Sequence, residues 1–200
     1  ALLLATDPAR ATVNELNPER AEDLRSQGYQ VTQHNAVDYQ PDQLHGVVIA
    51  NPPFGAVREA QGQRQRFALP GNRRGTTQID HAIAFQALSA MKADGKAVLI
   101  LGGKLGTDEA LRSERYNTLE SRGFFYALYQ QYNVTQHITI WGDLYRKQGA
   151  GFPIDLIFIE GRGASERLLP AAAVPRIYKS FTQLKELIPH ERLHYSTTDL

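Results

Sequence analysis

Short stretches of adjacent or alternating apolar residues take turns along this chain with longer stretches in which apolar residues recur at helical spacing. That alternation predicts an α/β sheet rather than a helical bundle or a β-sandwich. Ala1 to Thr6 is apolar and reads as the tail of a helix or strand before Asp7-Pro8. Ala11 to Leu16 reads as a short strand, and Pro18 suits a first helical turn. Glu19 to Gln27 then form a polar helix that Gly28 closes, with Ala21 and Leu24 on its inner face. Tyr29 to His34 alternates as a strand, and Val47 to Ala50 reads as a buried strand that ends abruptly at Asn51-Pro52-Pro53.

Gly55 to Gly75 has no period and holds four glycines among many Gln and Arg residues, which predicts a long loop, functional or disordered. Ile79 to Met91 is a strongly apolar helix, Asp94-Gly95 a turn, and Ala97 to Leu101 a central strand. Asp108 to Gln131 holds one or two helices interrupted near Gly123. Val134 to Trp141 and Ile154 to Ile159 read as two strands of a long-looped hairpin, and a last helix is expected at Thr182 to Leu187. This divides the chain into a main domain over residues 1–163 and an Ala- and Pro-rich extension over residues 164–200. There is no internal repeat and no low-complexity tract.

Composition narrows the classes. The 200 residues are 42% hydrophobic and 22% charged, which is ordinary globular usage and enough for one substantial domain. No apolar run approaches the roughly 18 residues needed to cross a bilayer, and no signal-peptide pattern is present, so no membrane role is expected. The absence of cysteine excludes disulfides, thiolate zinc sites and cysteine nucleophiles, and fits an intracellular, cytoplasmic setting. The first residue is Ala1 and the only methionine is Met91, so the chain reads as a piece of something longer.

The sharpest chemical feature is Asn51-Pro52-Pro53-Phe54 directly after a strand. In parallel α/β sheets, ligands bind beyond the carboxyl ends of the strands. The Asn51 side-chain oxygen and the Pro52 carbonyl can both accept from one planar amino group, the prolines stiffen the backbone, and Phe54 offers a face to a base. Two acceptors on one nitrogen draw its lone pair out of conjugation and favour attack on an electrophilic methyl group. The plainer alternative is a rigid turn after a strand.

With these residues in place, the stretch from Val13 to Gly55 resembles the central part of S-adenosylmethionine-dependent amino-methyltransferases that act on adenine N6, of the DNA methylase type. Met91 to Leu101 is similar to that family's helix, turn and fifth strand, and the resemblance spans residues 1–160. It implies a class I methyltransferase-like, Rossmann-like fold with a mostly parallel sheet and a C-terminal strand hairpin. It also implies methyl transfer from S-adenosylmethionine to the N6 amino group of adenine in DNA, as in restriction-modification. Asn51, Pro52, Pro53 and Phe54 match the catalytic motif in full. Glu15 matches the acid that holds the cofactor ribose, and Asn35-Ala36 stands where an Asp usually meets the cofactor adenine. The hairpin loop implies an aromatic residue against the extruded base, with Tyr145 and Phe152 as candidates. The family's first strand and glycine-rich cofactor loop would lie before residue 1. A preceding segment or a partner chain is therefore expected to complete the sheet.

Charge adds a nucleic-acid argument. Arg58, Arg64, Arg66, Arg73 and Arg74 face the single acid Glu59 between Gly55 and Gly75, in a chain of net charge +1. Such residues beside a base pocket suit DNA phosphates, or else form a merely solvated loop. No metal is expected. His190-Glu191-Arg192-Leu193-His194 has zinc-protease spacing, but Pro189 precedes it and six residues follow, so coincidence is the better reading. His34, His45, His81 and His137 read as structural or surface residues. Phe124, Phe125, Tyr126, Tyr129 and Tyr132 read as core rather than a stacking platform. Gly102-Gly103-Lys104 lacks phosphate-loop spacing. Alternative functions are a non-catalytic module that binds DNA or scaffolds a helicase-associated or mobile-element protein, and methylation of RNA bases or protein glutamine.

Overall fold

In the computed structural model, which describes residues 7–144 and 151–187, the apolar segments order as strands and helices in alternation. They are β1 (Thr12–Asn14), α1 (Pro18–Ser26), β2 (Gln30–Thr32), β3 (His45–Ala50), β4 (Phe67–Leu69), β5 (Asn72–Thr76), α2 (Ile79–Ser89), β6 (Met91–Gly102), α3 (Glu109–Tyr116), α4 (Leu119–Gln131), β7 (Tyr132–Ile140), β8 (Ile154–Arg162), β9 (Ile177–Tyr178) and α5 (Phe181–Lys185). The α/β class is as the sequence implies, and no described helix is long and apolar enough to cross a membrane.

The main sheet has the order β3-β6-β8-β7-β9. It is mixed rather than mostly parallel: β3 with β6 and β7 with β9 are parallel, while β8 is antiparallel to both its neighbours. The cause is the expected β7–β8 hairpin, whose second strand inserts beside β6. Residues beyond 163 return to this sheet through β9. Helices α2 and α4 supply Phe85, Leu88, Phe124 and Leu128 to a core that takes Met91, Leu99, Leu101, Ile157 and Ile159 from the strands. β1 and β2 pair in parallel as a separate two-stranded sheet.

Four local expectations change. Strand β3 is not buried on both faces: Val48 and Ala50 are buried, but Val47 is 64% and Ile49 47% exposed, because successive side chains point to opposite faces and only one face of β3 is covered; β3 is also an edge of the five-stranded sheet. Among the described residues neither β1 nor β3 has a second strand partner.

The Gly55–Gly75 stretch is not an unstructured loop. It folds into antiparallel pairings, with isolated bridges Ala56↔Gln78 and Arg58↔Arg64 followed by β4 against β5. Gly75 carries φ +63 there, and a Cβ on it would strike the Phe67 carbonyl oxygen, so a glycine is required.

Strand β6 begins at Met91 and runs through the Asp94-Gly95 turn as a register shift, His45 pairing with Met91 but Val47 with Lys96. A Cβ on Gly95 would lie 2.8 Å from Met91 Cγ. The helical break after α3 falls at Asn117-Thr118, whereas Gly123 sits inside α4, packed closely against the Asn72 side chain.

Buried polar groups pin α2. His81, 2% exposed, stacks on Phe124 with ring centroids 3.9 Å apart, and its Nδ1 lies 3.2 Å from Thr76 Oγ1. Burial, assisted by the charge of Lys104, pushes its pKa down to about 3. Glu120 of α4 receives the Thr77 N–H and both threonine hydroxyls, of Thr76 at 3.3 Å and Thr77 at 3.2 Å, which joins α4 to the junction between β5 and α2.

Two expectations follow for stability. Leu99→Ala, in the strand between β3 and β8, should cost about 2–5 kcal/mol, whereas Val47→Ala on the open face should stay within about 0.5 kcal/mol. Urea denaturation compares them; equal losses would contradict the exposure of the Val47 face of β3. For His81 the folded-state pKa lies below the unfolded value. Its contribution is therefore complete above pH 6.5 and is lost as pH falls towards about 3. Denaturation at pH 7 and pH 5 should show a smaller acid loss in His81→Gln than in the wild type. Parallel slopes would remove His81 as the cause.

Candidate active site

The parallel pairing of β3 with β6, in register at Ala50↔Leu99, brings the carboxyl ends of two neighbouring strands together. Asn51-Pro52-Pro53-Phe54 leaves the first and Gly102-Gly103-Lys104 leaves the second. Pro52 is buried, while Asn51 and Phe54 are exposed, Phe54 at 38%. Among the described residues, neither the Asn51 side-chain amide nor the Pro52 carbonyl takes part in a hydrogen bond. Both acceptors are thus without a hydrogen-bond partner among the described residues, in a turn whose Phe54 ring is partly exposed.

The turn is held from behind. The Ile79 N–H donates to the Gly55 carbonyl at 2.8 Å, tying the first turn of α2 to the residue after Phe54. Asp80, 3% exposed, accepts the Gly102 N–H through Oδ2 at 3.2 Å. Gly102 leaves just enough room: a Cβ on it would lie 3.6 Å from Asp80 Oδ2 and 3.7 Å from Phe54 Cβ. Burial raises the Asp80 pKa above the ordinary carboxyl value. It is opposed, in decreasing order, by the Gly102 N–H, the Lys104 charge, and the N–H groups of Asp80 itself and Gly55. The sequence reading missed Asp80; its signal was a lone acid at the start of an otherwise apolar helix. Lys104 enters through charge, with no phosphate-loop geometry around it.

The β1–β2 unit carries the other implied residues. The Asn14 amide donates to the His34 carbonyl at 3.0 Å, and its oxygen accepts from the Thr32 hydroxyl and the His34 N–H. The parallel register therefore places Glu15 and Asn35 just beyond neighbouring strand ends. Glu15 Oε1 accepts from the Asn17 N–H at 2.8 Å and pairs with Arg20 at 2.9 Å. The Arg20 hydrogen bond holds the Glu15 carboxyl below its ordinary pKa, with burial working against it. Both bonds fall on Oε1, which leaves Oε2 without a hydrogen bond among the described residues. Asn35 is exposed; its amide reaches Asp38 at 3.2 Å and its oxygen accepts the Val37 N–H at 3.3 Å. Ala36 is half-buried beside it. Among the described residues this unit shares no ladder with the main sheet; the Gln86 side chain of α2 donates to the Tyr39 carbonyl in the segment between β2 and β3.

All five arginines are exposed. Arg58 and Arg64 face each other across a bridge, Arg58 also donating to the Gly62 carbonyl at 3.0 Å, and Arg66 donates to the Arg74 carbonyl at 2.6 Å. Arg73 and Arg74 lie on β5. Phe152 is 75% exposed at the foot of β8. Tyr145 and the His190–His194 pattern lie outside the described residues. Phe124, Phe125, Tyr129 and Tyr132 are core residues, but Tyr126 is 54% exposed.

No protein-family model matches the chain, and no curated protein matches it. Solved structures do. A modification subunit of a putative type I restriction enzyme from Vibrio vulnificus YJ016 superposes with a TM-score of 0.52 at 13% identity, over 77% of this chain and 33% of that one. A structure addressing complex assembly and conformational transition of the type I R-M system gives a TM-score of 0.50 at 14% identity, over 77% and 31%. The chain thus spans about a third of the length of the proteins it matches. At these identities the likeness is one of fold: this chain has the α/β, methyltransferase-like fold found in those restriction-modification proteins.

Proposed function

We propose that this chain is the catalytic portion of a methyltransferase that moves a methyl group from S-adenosylmethionine to the exocyclic N6 amino group of adenine in DNA. The observation that carries this reading is the pair of unengaged acceptors, the Asn51 amide oxygen and the Pro52 carbonyl, presented at a strand end beside the exposed ring of Phe54. An amino group that donates to both keeps its lone pair available for an electrophile, and Phe54 stacks the extruded base. S-adenosylmethionine supplies an electrophilic sulfonium methyl when bound. The residues present suit it in part: Glu15 offers Oε2 to a ribose diol, and Asn35 and Ala36 stand at the adjoining strand end for the adenine. Asn51 and Pro52 hold the nucleophile, Pro53 stiffens the turn, and the amino proton leaves to solvent after transfer. Positioning supplies most of the rate, with no covalent enzyme intermediate.

The exposed arginines Arg58, Arg64, Arg66, Arg73 and Arg74 follow the motif directly in the chain and suit the phosphates around an extruded base, with Phe152 and Tyr145 contributing from the hairpin loop. The edges of β1 and β3 that are unpaired among the described residues suit a further strand from a preceding segment or a partner chain. That strand would join the two sheets and bring Glu15 and Asn51 into one site.

Two measurements test this. Calorimetric titration of S-adenosylmethionine into the 200-residue chain and into a version extended upstream should show binding by the extended form, and Asn51→Ala should lower methyl transfer to adenine in DNA by about 10²-fold or more. A folded, extended protein that binds no cofactor would instead mark a non-catalytic DNA-binding module, and transfer to RNA or to a glutamine amide would reassign the substrate. For the arginines, Arg73→Ala combined with Arg74→Ala should weaken DNA binding whatever the sequence and reduce the slope of log K against log salt by about 2. An unchanged slope would remove them from the interface.

A further inference from the structure

The two most deeply buried aspartates of this fold are satisfied very differently. Asp155, fully buried in β8, receives the Tyr116 hydroxyl at 2.8 Å on Oδ2 and the Thr139 hydroxyl at 2.7 Å on Oδ1. Asp80 receives the Gly102 N–H on Oδ2 alone; its Oδ1 is closed to solvent and has no hydrogen-bond partner among the described residues. Burying a carboxyl oxygen without a partner is costly, and such orphans concentrate where a function retains them. This one lies at the back of the candidate site. Gly102, which Asp80 holds, is packed against Phe54, and the neighbouring Ile79 N–H holds the Gly55 carbonyl. The N–H groups of Asp80 itself and of Gly55 both favour the ionised carboxyl, after the Gly102 N–H and the Lys104 charge, yet neither forms a hydrogen bond to Oδ1 in this structure. Gly55 has φ +102 with nothing within 4 Å of a Cβ position, so this residue has room to move.

We propose that Asp80 is a positioning residue: Oδ2 stays fixed on the Gly102 N–H, and Oδ1 receives the Gly55 N–H when an occupant draws the Asn51–Phe54 turn inward. The inference rests on the reading of this turn as a base-binding site. Active-site hydrogen bonds are often long in the empty protein and tighten on binding. A carboxylate suits the task because both of its oxygens accept. An asparagine could keep the Gly102 bond through its single oxygen, but it would turn an NH₂ group towards the Gly55 N–H, donor against donor. Asp80 thus reaches the substrate only through Phe54 and Gly55, by setting where the ring sits.

The test compares wild type with Asp80→Asn in the natural full-length protein, using unmethylated DNA of mixed sequence and radiolabelled S-adenosylmethionine. The variant keeps the side-chain volume and removes a costly buried charge, so its Tm should match or exceed that of the wild type. The kcat should fall about tenfold or more while KM for DNA changes less than about threefold. Amide hydrogen exchange gives a readout independent of turnover: adding DNA should slow exchange at Gly55 severalfold in the wild type and not in the variant. Wild-type kcat in the variant, a Tm loss that accounts for the lost activity, or no slowing at Gly55 in a wild type that binds and methylates DNA would each overturn the assignment. A wild type that methylates no DNA would instead remove the adenine reading itself. Slowing at Gly55 on addition of adenosine would then still support the role of Asp80.

Discussion

The parallel pairing of β3 with β6 is the constraint on which the rest depends. It aligns Ala50 with Leu99, so that both strands release their chains at the same end of the sheet, Asn51 from one and Gly102 from the other. Parallel strands need a crossover, and α2 provides it, its apolar face packing Phe85 and Leu88 into the core while its first turn comes to rest beneath the strand ends. Ile79 and Asp80 then fasten the two chain exits by single hydrogen bonds to Gly55 and Gly102. Both chain exits are thereby tied to the first turn of the helix that links the two strands.

Stability and function pull differently at this end of the molecule. His81 and Asp80 are adjacent and both nearly inaccessible, yet burial moves their pKa values in opposite directions, each towards its neutral form. His81 is fully accommodated by Phe124 and Thr76, and acts as core. Asp80 keeps an unpartnered oxygen, a cost that packing alone would not retain. The contrast with Asp155, whose hydroxyl partners complete it, shows that the fold is able to satisfy a buried carboxylate elsewhere.

The same sheet is open on its other flank. Among the described residues β3 has a strand neighbour on one side only and β1 pairs only with β2, while Val47 and Ile49 of β3 are exposed. Their alternation with buried Val48 and Ala50 shows one face of β3 covered by α2 and the other uncovered. The arginine-bearing hairpins extend from the motif end of the same strand. Gly75 allows them to fold tightly enough to pack on α4, where Gly123 admits the Asn72 side chain.

Much of this was legible in one dimension. The alternation of strand and helix, the hairpin of β7 and β8, the abrupt end of β3 before Asn51-Pro52 and the core role of Phe124, Phe125, Tyr129 and Tyr132 all follow from local pattern, because apolar periodicity and proline stereochemistry act over a few residues. What local pattern could not supply was the neighbour of each element. An apolar run such as Val47 to Ala50 looks the same at an edge as in a sheet interior, and an arginine-rich stretch between glycines looks like a loop until long-range pairing closes it. Asp80 was silent for the same reason: a single acid in an apolar helix has no meaning until β6 returns and places Gly102 against it. The sequence by itself determined the residues Asn51 to Phe54 that end strand β3 and the hydrogen-bonding groups they carry. Tertiary structure decided which backbone groups stand behind them, since those contacts join positions 22 residues apart or more, and their pairing is settled only when the sheet assembles.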